Sequence, residues 1–121
     1  MSTENNQEET DKTFITIDDF IKVEMNVGQI KECEPLEGSS KLLKLTVDFG
    51  PLGTRQILAG IAKFYVPEEL VGRKGAFVTN LPPRKMAGSV SEGMILGTKD
   101  DDGNYYIVAV NQKAANGARL S

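Results

Sequence analysis

The residue pattern predicts an all-β chain folded into one small barrel. Three observations carry this. Apolar and polar residues alternate in five or six short runs, and turn residues punctuate those runs at regular intervals. A single proline-led helical turn stands between the third and fourth runs. Nowhere do strands and long helices alternate, as a parallel sheet would require.

The elements follow in chain order. Residues 1–13 hold no apolar residue after Met1 and carry Glu4, Glu8, Glu9 and Asp11 against Lys12. Such a segment buries too little surface to offset its ordering entropy, so a disordered acidic tail is expected, with a single domain over 14–121. Thr16 and Asp19 have the spacing of a capping box, and Ile15 and Phe20 that of a hydrophobic staple, which predicts a short helix. From Ile21 the period becomes two: Val23, Met25 and Val27 alternate, Gly28 interrupts, and Ile30 follows. A glycine inside a strand is read as a bulge or barrel corner.

Glu34 to Ser40, with Pro35, Gly38 and two serines, is read as a loop. Leu43, Leu45, Val47 and Phe49 alternate in a second strand, and Gly50-Pro51-Leu52-Gly53 is a turn. Gln56–Ile61 is the third strand. Pro67-Glu68-Glu69-Leu70 is the helical turn, with Gly72 just past its end. Ala76–Thr79 is a strand that Leu81-Pro82-Pro83 breaks. Gly93–Thr98 is the next strand, and a hairpin at Asp102-Gly103 leads into Tyr105–Val110. A five-stranded barrel with a helix between strands three and four is the OB-fold arrangement, whose strand 2–3 face and flanking loops bind oligonucleotides. An SH3-like barrel satisfies the same pattern.

Composition excludes several function classes. The 121 residues contain no histidine, the commonest general base and metal ligand. One cysteine, Cys33, builds neither a disulfide nor a zinc site and suits a reducing, cytoplasmic compartment. No phosphate-binding loop, dinucleotide fingerprint or nucleophile elbow occurs. The Asp100-Asp101-Asp102-Gly103 run fails as a calcium loop, because Thr98 and Ala109 stand where ligands would be needed. No enzyme activity, metal or cofactor is expected. No apolar run approaches the roughly 18 residues of a membrane helix.

The net charge of -3 is unevenly spread. Between residues 38 and 94, Lys41, Lys44, Arg55, Lys63, Arg73, Lys74, Arg84 and Lys85 face only Asp48, Glu68, Glu69 and Glu92. A locally basic middle is compatible with phosphate binding, and equally with a mixed, solvated surface. Two stretches draw attention. Ser39-Ser40-Lys41-Leu42-Leu43-Lys44-Leu45 enters a strand. Asn80 to Met94 gathers two cations, two serines, an asparagine, a carboxylate and two methionines around glycines. Cations meet phosphates, and small polar groups meet 2′-hydroxyls or base edges. Read alone, the second stretch is equally a barrel loop with polar filler.

The chain resembles the tRNA-binding domain family: free-standing tRNA-binding proteins, C-terminal appendices of methionyl-tRNA synthetases, and synthetase-associated cofactors. The resemblance runs from about Ile15 to the end. It rests on Ile17-Asp18-Asp19-Phe20 with Val23, Ser40-Lys41-Leu42, Gln56-Ile57-Leu58-Ala59-Gly60-Ile61-Ala62 and Tyr65 to Gly72. It continues through Asn80-Leu81, Arg84-Lys85-Met86, Ser91-Glu92-Gly93-Met94 and Asn116-Gly117-Ala118-Arg119. It implies an OB-fold barrel with a C-terminal β extension that binds tRNA by shape more than by sequence. Carried over by motif, the RNA contacts it implies are Ser40, Lys41, Arg55, Asn80, Arg84, Lys85, Met86, Ser91, Glu92 and Met94. Many relatives have an acidic residue or asparagine where Ser40 stands and a basic residue where Ala87 stands, so this face is the less basic here. The implied partners are tRNA, a second copy in a homodimer, and an aminoacyl-tRNA synthetase. The Met1-Ser2-Thr3 start leans towards a stand-alone chain over a synthetase fragment. A CsaA-type export chaperone, which shares the fold and binds unfolded polypeptide, is the rival, and the Phe49–Gly53 turn leans towards it.

Overall fold

The computed structural model describes residues 13–121; the expected acidic tail lies outside the described residues, save Thr13. Helix α1 (Ile17–Phe20) starts at Thr16, whose Oγ1 accepts the Asp19 N–H at 3.0 Å, the hydroxyl half of the expected capping box, while the Asp19 carboxylate meets Lys22 Nζ at 3.4 Å. Strands β1 (Met25–Pro35), β2 (Leu43–Asp48) and β3 (Thr54–Ala59) form a meander, with a 3₁₀ turn, Gly50–Leu52, between the last two. Helix α2 (Pro67–Leu70) follows, then β4 (Lys74–Val78). The remaining strands are β5 (Arg84–Met86), β6 (Ser89–Ser91), β7 (Met94–Ile95), β8 (Gly97–Lys99) and β9 (Tyr105–Ile107).

The main sheet is antiparallel, in the order β3-β2-β1-β4-β7, and curls so that β3 and β7 approach each other. This is a nearly closed five-stranded barrel with a helix between its third and fourth strands, the predicted OB arrangement. Alternation along β2 sends Leu43, Leu45 and Val47 inward, where they meet Ile30, Phe49, Ile57, Leu70, Phe77 and Ile95. Phe49 and Phe77 meet edge to face, 5.3 Å between ring centroids.

Gly28 is not a bulge; it stands beside Gln29, where β1 passes from pairing with β4 to pairing with β2, the corner that the sequence reading also allowed. It pairs regularly with Gly75, and the irregularity in β1 falls between Ile30 and Glu32 instead. Gly28 is there for packing: a Cβ at this position would lie 2.5 Å from Val47 Cγ1 and 2.7 Å from the Phe49 ring. The tip at Asp102-Gly103 is also longer than a two-residue turn. Lys99 pairs with Tyr105, and Asp100 N–H donates to Asn104 O, leaving three residues with Gly103 at φ 86°.

The C-terminal segment wraps the barrel rather than standing free. Val110 N–H donates to Lys74 O, Ala76 N–H to Val108 O and Val108 N–H to Leu96 O. The Tyr105–Val110 segment is thus tied by its backbone to Lys74, Ala76 and Leu96 within the chain. The last residues then run beside β1, where Gly117 N–H donates to Val27 O and Leu120 N–H to Met25 O. Gly117 sits at φ 91° with no room for a Cβ against Phe49 O, which accounts for glycine in the Asn116–Arg119 motif.

Candidate nucleic-acid interface

Both stretches singled out in the sequence flank the outer face of β2 and β3, the oligonucleotide face of OB-folds. The first is the turn joining β1 to β2. Leu36 N–H donates to Leu42 O, and Ser39 Oγ accepts the N–H groups of Lys41 and Leu42, at 3.2 and 3.1 Å. Ser39 therefore shapes the turn. Ser40 and Lys41 project from it, exposed and with no side-chain partner among the described residues.

The second stretch is a hairpin, although no strand was expected between Pro83 and Gly93. β5 and β6 pair Arg84 with Ser91, Lys85 with Val90, and Met86 with Ser89. The two turn residues, Ala87 and Gly88, have φ of 50° and 81°, the left-handed pair that joins twisted strands in register. Opposite residues in a hairpin share a face. Arg84, Met86, Ser89 and Ser91 face β3, while Lys85 and Val90 face solvent. Gln56 Nε2 on β3 fastens the hairpin by donating to Ser89 Oγ at 2.9 Å and Val90 O at 2.8 Å.

The hairpin also caps the open edge of β3. An edge strand leaves every second N–H unpaired. Here Leu58 N–H donates to Ser91 Oγ at 2.9 Å, Gln56 N–H donates to Glu92 Oε1 at 2.9 Å, and Gln56 O accepts Glu92 N–H at 2.8 Å. Ser91 is 3% exposed, and its hydroxyl also donates to Gly93 O. Asn80 uses both ends of its amide: Oδ1 accepts Glu24 N–H, and Nδ2 donates to Lys22 O at 2.6 Å. Arg55 Nη1 donates to Thr79 O at 2.6 Å, and its guanidinium lies over the Phe49 ring.

The ten predicted contacts thus divide by what they touch. Arg55, Asn80, Ser91 and Glu92 have polar groups committed to barrel closure. Ser40, Lys41, Arg84 and Lys85 carry free polar heads at the surface, among the described residues. Met86 and Met94 line a cavity of about 400 Å³ with Leu58, Leu81, Arg84 and Ser91. Sequence reasoning missed Leu58 and Leu81 here. The available signal was Ile57-Leu58-Ala59, where the strand loses its alternation because hairpin and core cover both faces.

Cys33 lies near the end of β1, opposite Leu45, where it lines a depression with Glu32, Glu34, Lys44 and Thr46. Partial burial and the nearby Glu68 and Glu34 carboxylates push its thiol up to about 11, so it remains protonated at neutral pH. Among the described residues no cluster of ligands could hold a metal, and no helix is long and apolar enough to cross a membrane.

A family model described as a tRNA binding domain matches residues 25–119, which takes in both turns and the whole barrel. The chain belongs to the tRNA-binding domain family. Its match to the methionine–tRNA ligase of Dichelobacter nodosus is 47% identical over 111 residues, covering 92% of this chain and 16% of the ligase. With the methionine–tRNA ligase of Methanobrevibacter smithii it is 56% identical over 92 residues, 76% of this chain and 14% of the ligase. The chain therefore spans about a sixth of the length of these ligases. A MetRS-related protein from Pyrococcus horikoshii superposes with a TM-score of 0.84 at 41% identity, over 89% of this chain and 98% of that chain. The chaperone CsaA from Bacillus anthracis superposes at 0.81 with 31% identity, over 89% and 99%.

Proposed function

We propose that this domain binds tRNA through the outer face of β2–β3, without chemistry of its own, and serves an aminoacyl-tRNA synthetase as an appended domain or subunit. One observation carries the reading: two cation-bearing segments, Ser39–Leu45 and Asn80–Met94, frame a single face, and Lys41, Arg84 and Lys85 have no carboxylate partners among the described residues, whereas Lys44 pairs with Glu34 at 2.9 Å. Lys41, Arg84 and Lys85 meet backbone phosphates, with Ser40 beside them. Met86 and Met94 offer apolar contact to bases, while Arg55, Asn80, Ser91 and Glu92 hold the face in shape. A phosphate-reading face with few base-edge donors recognises tRNA by its fold. The long ligases among the relatives support a role in aminoacylation, in the cytoplasm, with the catalytic centre outside this domain. Exposed Phe14, Ile15, Ile17, Phe20, Ile21 and Val23 support a homodimer, since six large apolar side chains within ten residues favour a protein contact.

The second reading, binding of unfolded polypeptide, is favoured by the apolar cavity beside Leu58 and by the likeness to chaperones. Salt titration separates the two. Each phosphate neutralised by a cation releases counterions, so log affinity falls linearly with log salt. Arg84→Ala/Lys85→Ala should lower the slope by about two and weaken all tRNAs alike, with an unchanged melting temperature. Unaltered slope and affinity in the folded double variant would remove β5 from the RNA face. A wild type that prefers unfolded polypeptide to tRNA would hand the site to the second reading.

A further inference from the structure

A basic pocket lies beyond the interface described above, at the end of the barrel next to the β1–β2 turn. Three distant parts of the chain build it: the turn carrying Ser39 and Lys41, the segment after β3 carrying Lys63 and Phe64, and Lys99 on β8. Together they line a depression of about 450 Å³. Its walls are tied to one another. Ala62 N–H donates to Lys41 O at 3.1 Å, joining the first two segments. The Phe64 ring packs on Tyr105, 5.6 Å between centroids, and Tyr105 is the register partner of Lys99. Ile107 N–H donates to Tyr65 Oη, which fastens β9 to the same segment.

The charge in this pocket is unbalanced. Among the described residues none of the three lysines has a carboxylate within ion-pair distance. Asp100, next to Lys99, turns its Oδ1 into the hairpin tip, where it accepts the N–H groups of Asp102 and Asn104. The Lys99 ammonium instead sits 5.7 Å from the Phe64 ring centroid, a position that orders it without neutralising it. Three like charges held around one depression repel one another, and an anion placed among them relieves that repulsion. Every point of attachment is a flexible lysine, with no rigid fork for planar groups, so the ligand suited to it is a compact anion such as a phosphate.

We infer that Lys41, Lys63 and Lys99 form a phosphate pocket that takes the backbone of the bound RNA beyond the β2–β3 face, an inference that rests on the tRNA reading above. The path is continuous. Lys41 belongs both to the face and to the pocket, so a strand crossing the β1–β2 turn passes from one to the other. Lys63 and Lys99 thereby become RNA contacts, and Lys99 brings the β8–β9 extension into binding.

The test uses the full chain and whole tRNA. Lys63→Ala/Lys99→Ala should lower the salt slope by about two and weaken binding at least tenfold near physiological salt, without changing the melting temperature. In the wild type, bound tRNA should protect Lys63 and Lys99 from acetylation, alongside Lys41 and Lys85. A double variant with wild-type slope and affinity, and lysines equally reactive with and without tRNA, would overturn the inference while leaving the tRNA reading standing. A wild type that binds no tRNA would overturn both. Titration with inorganic phosphate at constant ionic strength identifies the source of the anion. If phosphate shifts the Lys63 and Lys99 resonances while the double variant retains full tRNA affinity, the pocket serves free phosphate and the RNA assignment is wrong.

Discussion

Replacing Ser91 by alanine separates a residue that touches RNA from one that builds the surface RNA would touch. The Ser91 hydroxyl accepts the Leu58 N–H at 2.9 Å and donates to Gly93 O at 2.9 Å, in a site 3% exposed. Alanine removes both bonds and adds nothing. The Leu58 N–H is then left in a place that water reaches poorly, and an orphaned buried donor costs about 1–3 kcal/mol. Gly93 O keeps a second lone pair and loses less. A total of about 2–3 kcal/mol follows, which lowers the melting temperature of a domain this size by about 10 °C. The loss is localised, since the bond from Leu58 fastens β3 to β6, so amide exchange at Leu58 should accelerate far more than in β1 or β2. Thermal denaturation followed by circular dichroism, with hydrogen exchange by NMR, makes the measurement. tRNA affinity should fall only near the melting transition, with the salt slope preserved. A Ser91→Ala protein that melts like wild type and has lost tRNA affinity at 25 °C would refute this reasoning and return Ser91 to direct contact.

Two further predictions come from other parts of the fold. Sedimentation velocity at micromolar concentration should give roughly twice the 13.2 kDa of the chain, and Ile17→Glu/Ile21→Glu should return it to the monomer; a monomeric wild type would remove the homodimer. Alkylation of Cys33 by iodoacetamide should keep rising about tenfold per pH unit up to about pH 10 and level off only near pH 11, because burial and the Glu68 and Glu34 carboxylates hold the thiol near 11. The raised value means the folded chain keeps this proton after the unfolded chain loses it near 9.0, so the contribution to stability is full below that pH and is lost as pH rises towards 11. A rate that levels off near pH 9 would contradict the environment assigned to Cys33, and so would loss of tRNA binding in a folded Cys33→Ser protein.

What could be read in advance follows from how far each signal reaches along the chain. Alternation at Leu43, Leu45 and Val47, the cap at Thr16 and the proline-led turn at Pro67 are local, and all appear as expected. Pairing across the sheet is not local. Gln56–Ile61 was expected as a strand where Thr54–Ala59 is found, because a ladder ends where its partner β2 ends. Gly93–Thr98 divides into β7 and β8, which pair with different neighbours, β4 and β9. The hairpin at Arg84–Ser91 went unrecognised because its turn places Ala87 at φ 50°, a conformation that alanine does not announce.

By itself, the amino-acid sequence determined the barrel, the helix after its third strand, the absence of histidine and paired-cysteine chemistry, and the presence of two cation-bearing segments. Those properties depend on residue type and on spacings of a few residues. The tertiary structure alone decided what each side chain in those segments does. Ser91, Glu92, Asn80 and Arg55 match the same motifs as Lys41, Arg84 and Lys85, yet the first four end against unpaired backbone groups of β3, Glu24, Lys22 and Thr79. A polar side chain goes to whichever unsatisfied partner the fold brings within reach, and closing a barrel through a two-residue strand leaves several such partners along β3. Lys63 and Lys99, 36 positions apart, share a pocket for the same reason: the β8–β9 hairpin packs against the segment that follows β3, and no pattern along the chain records that contact.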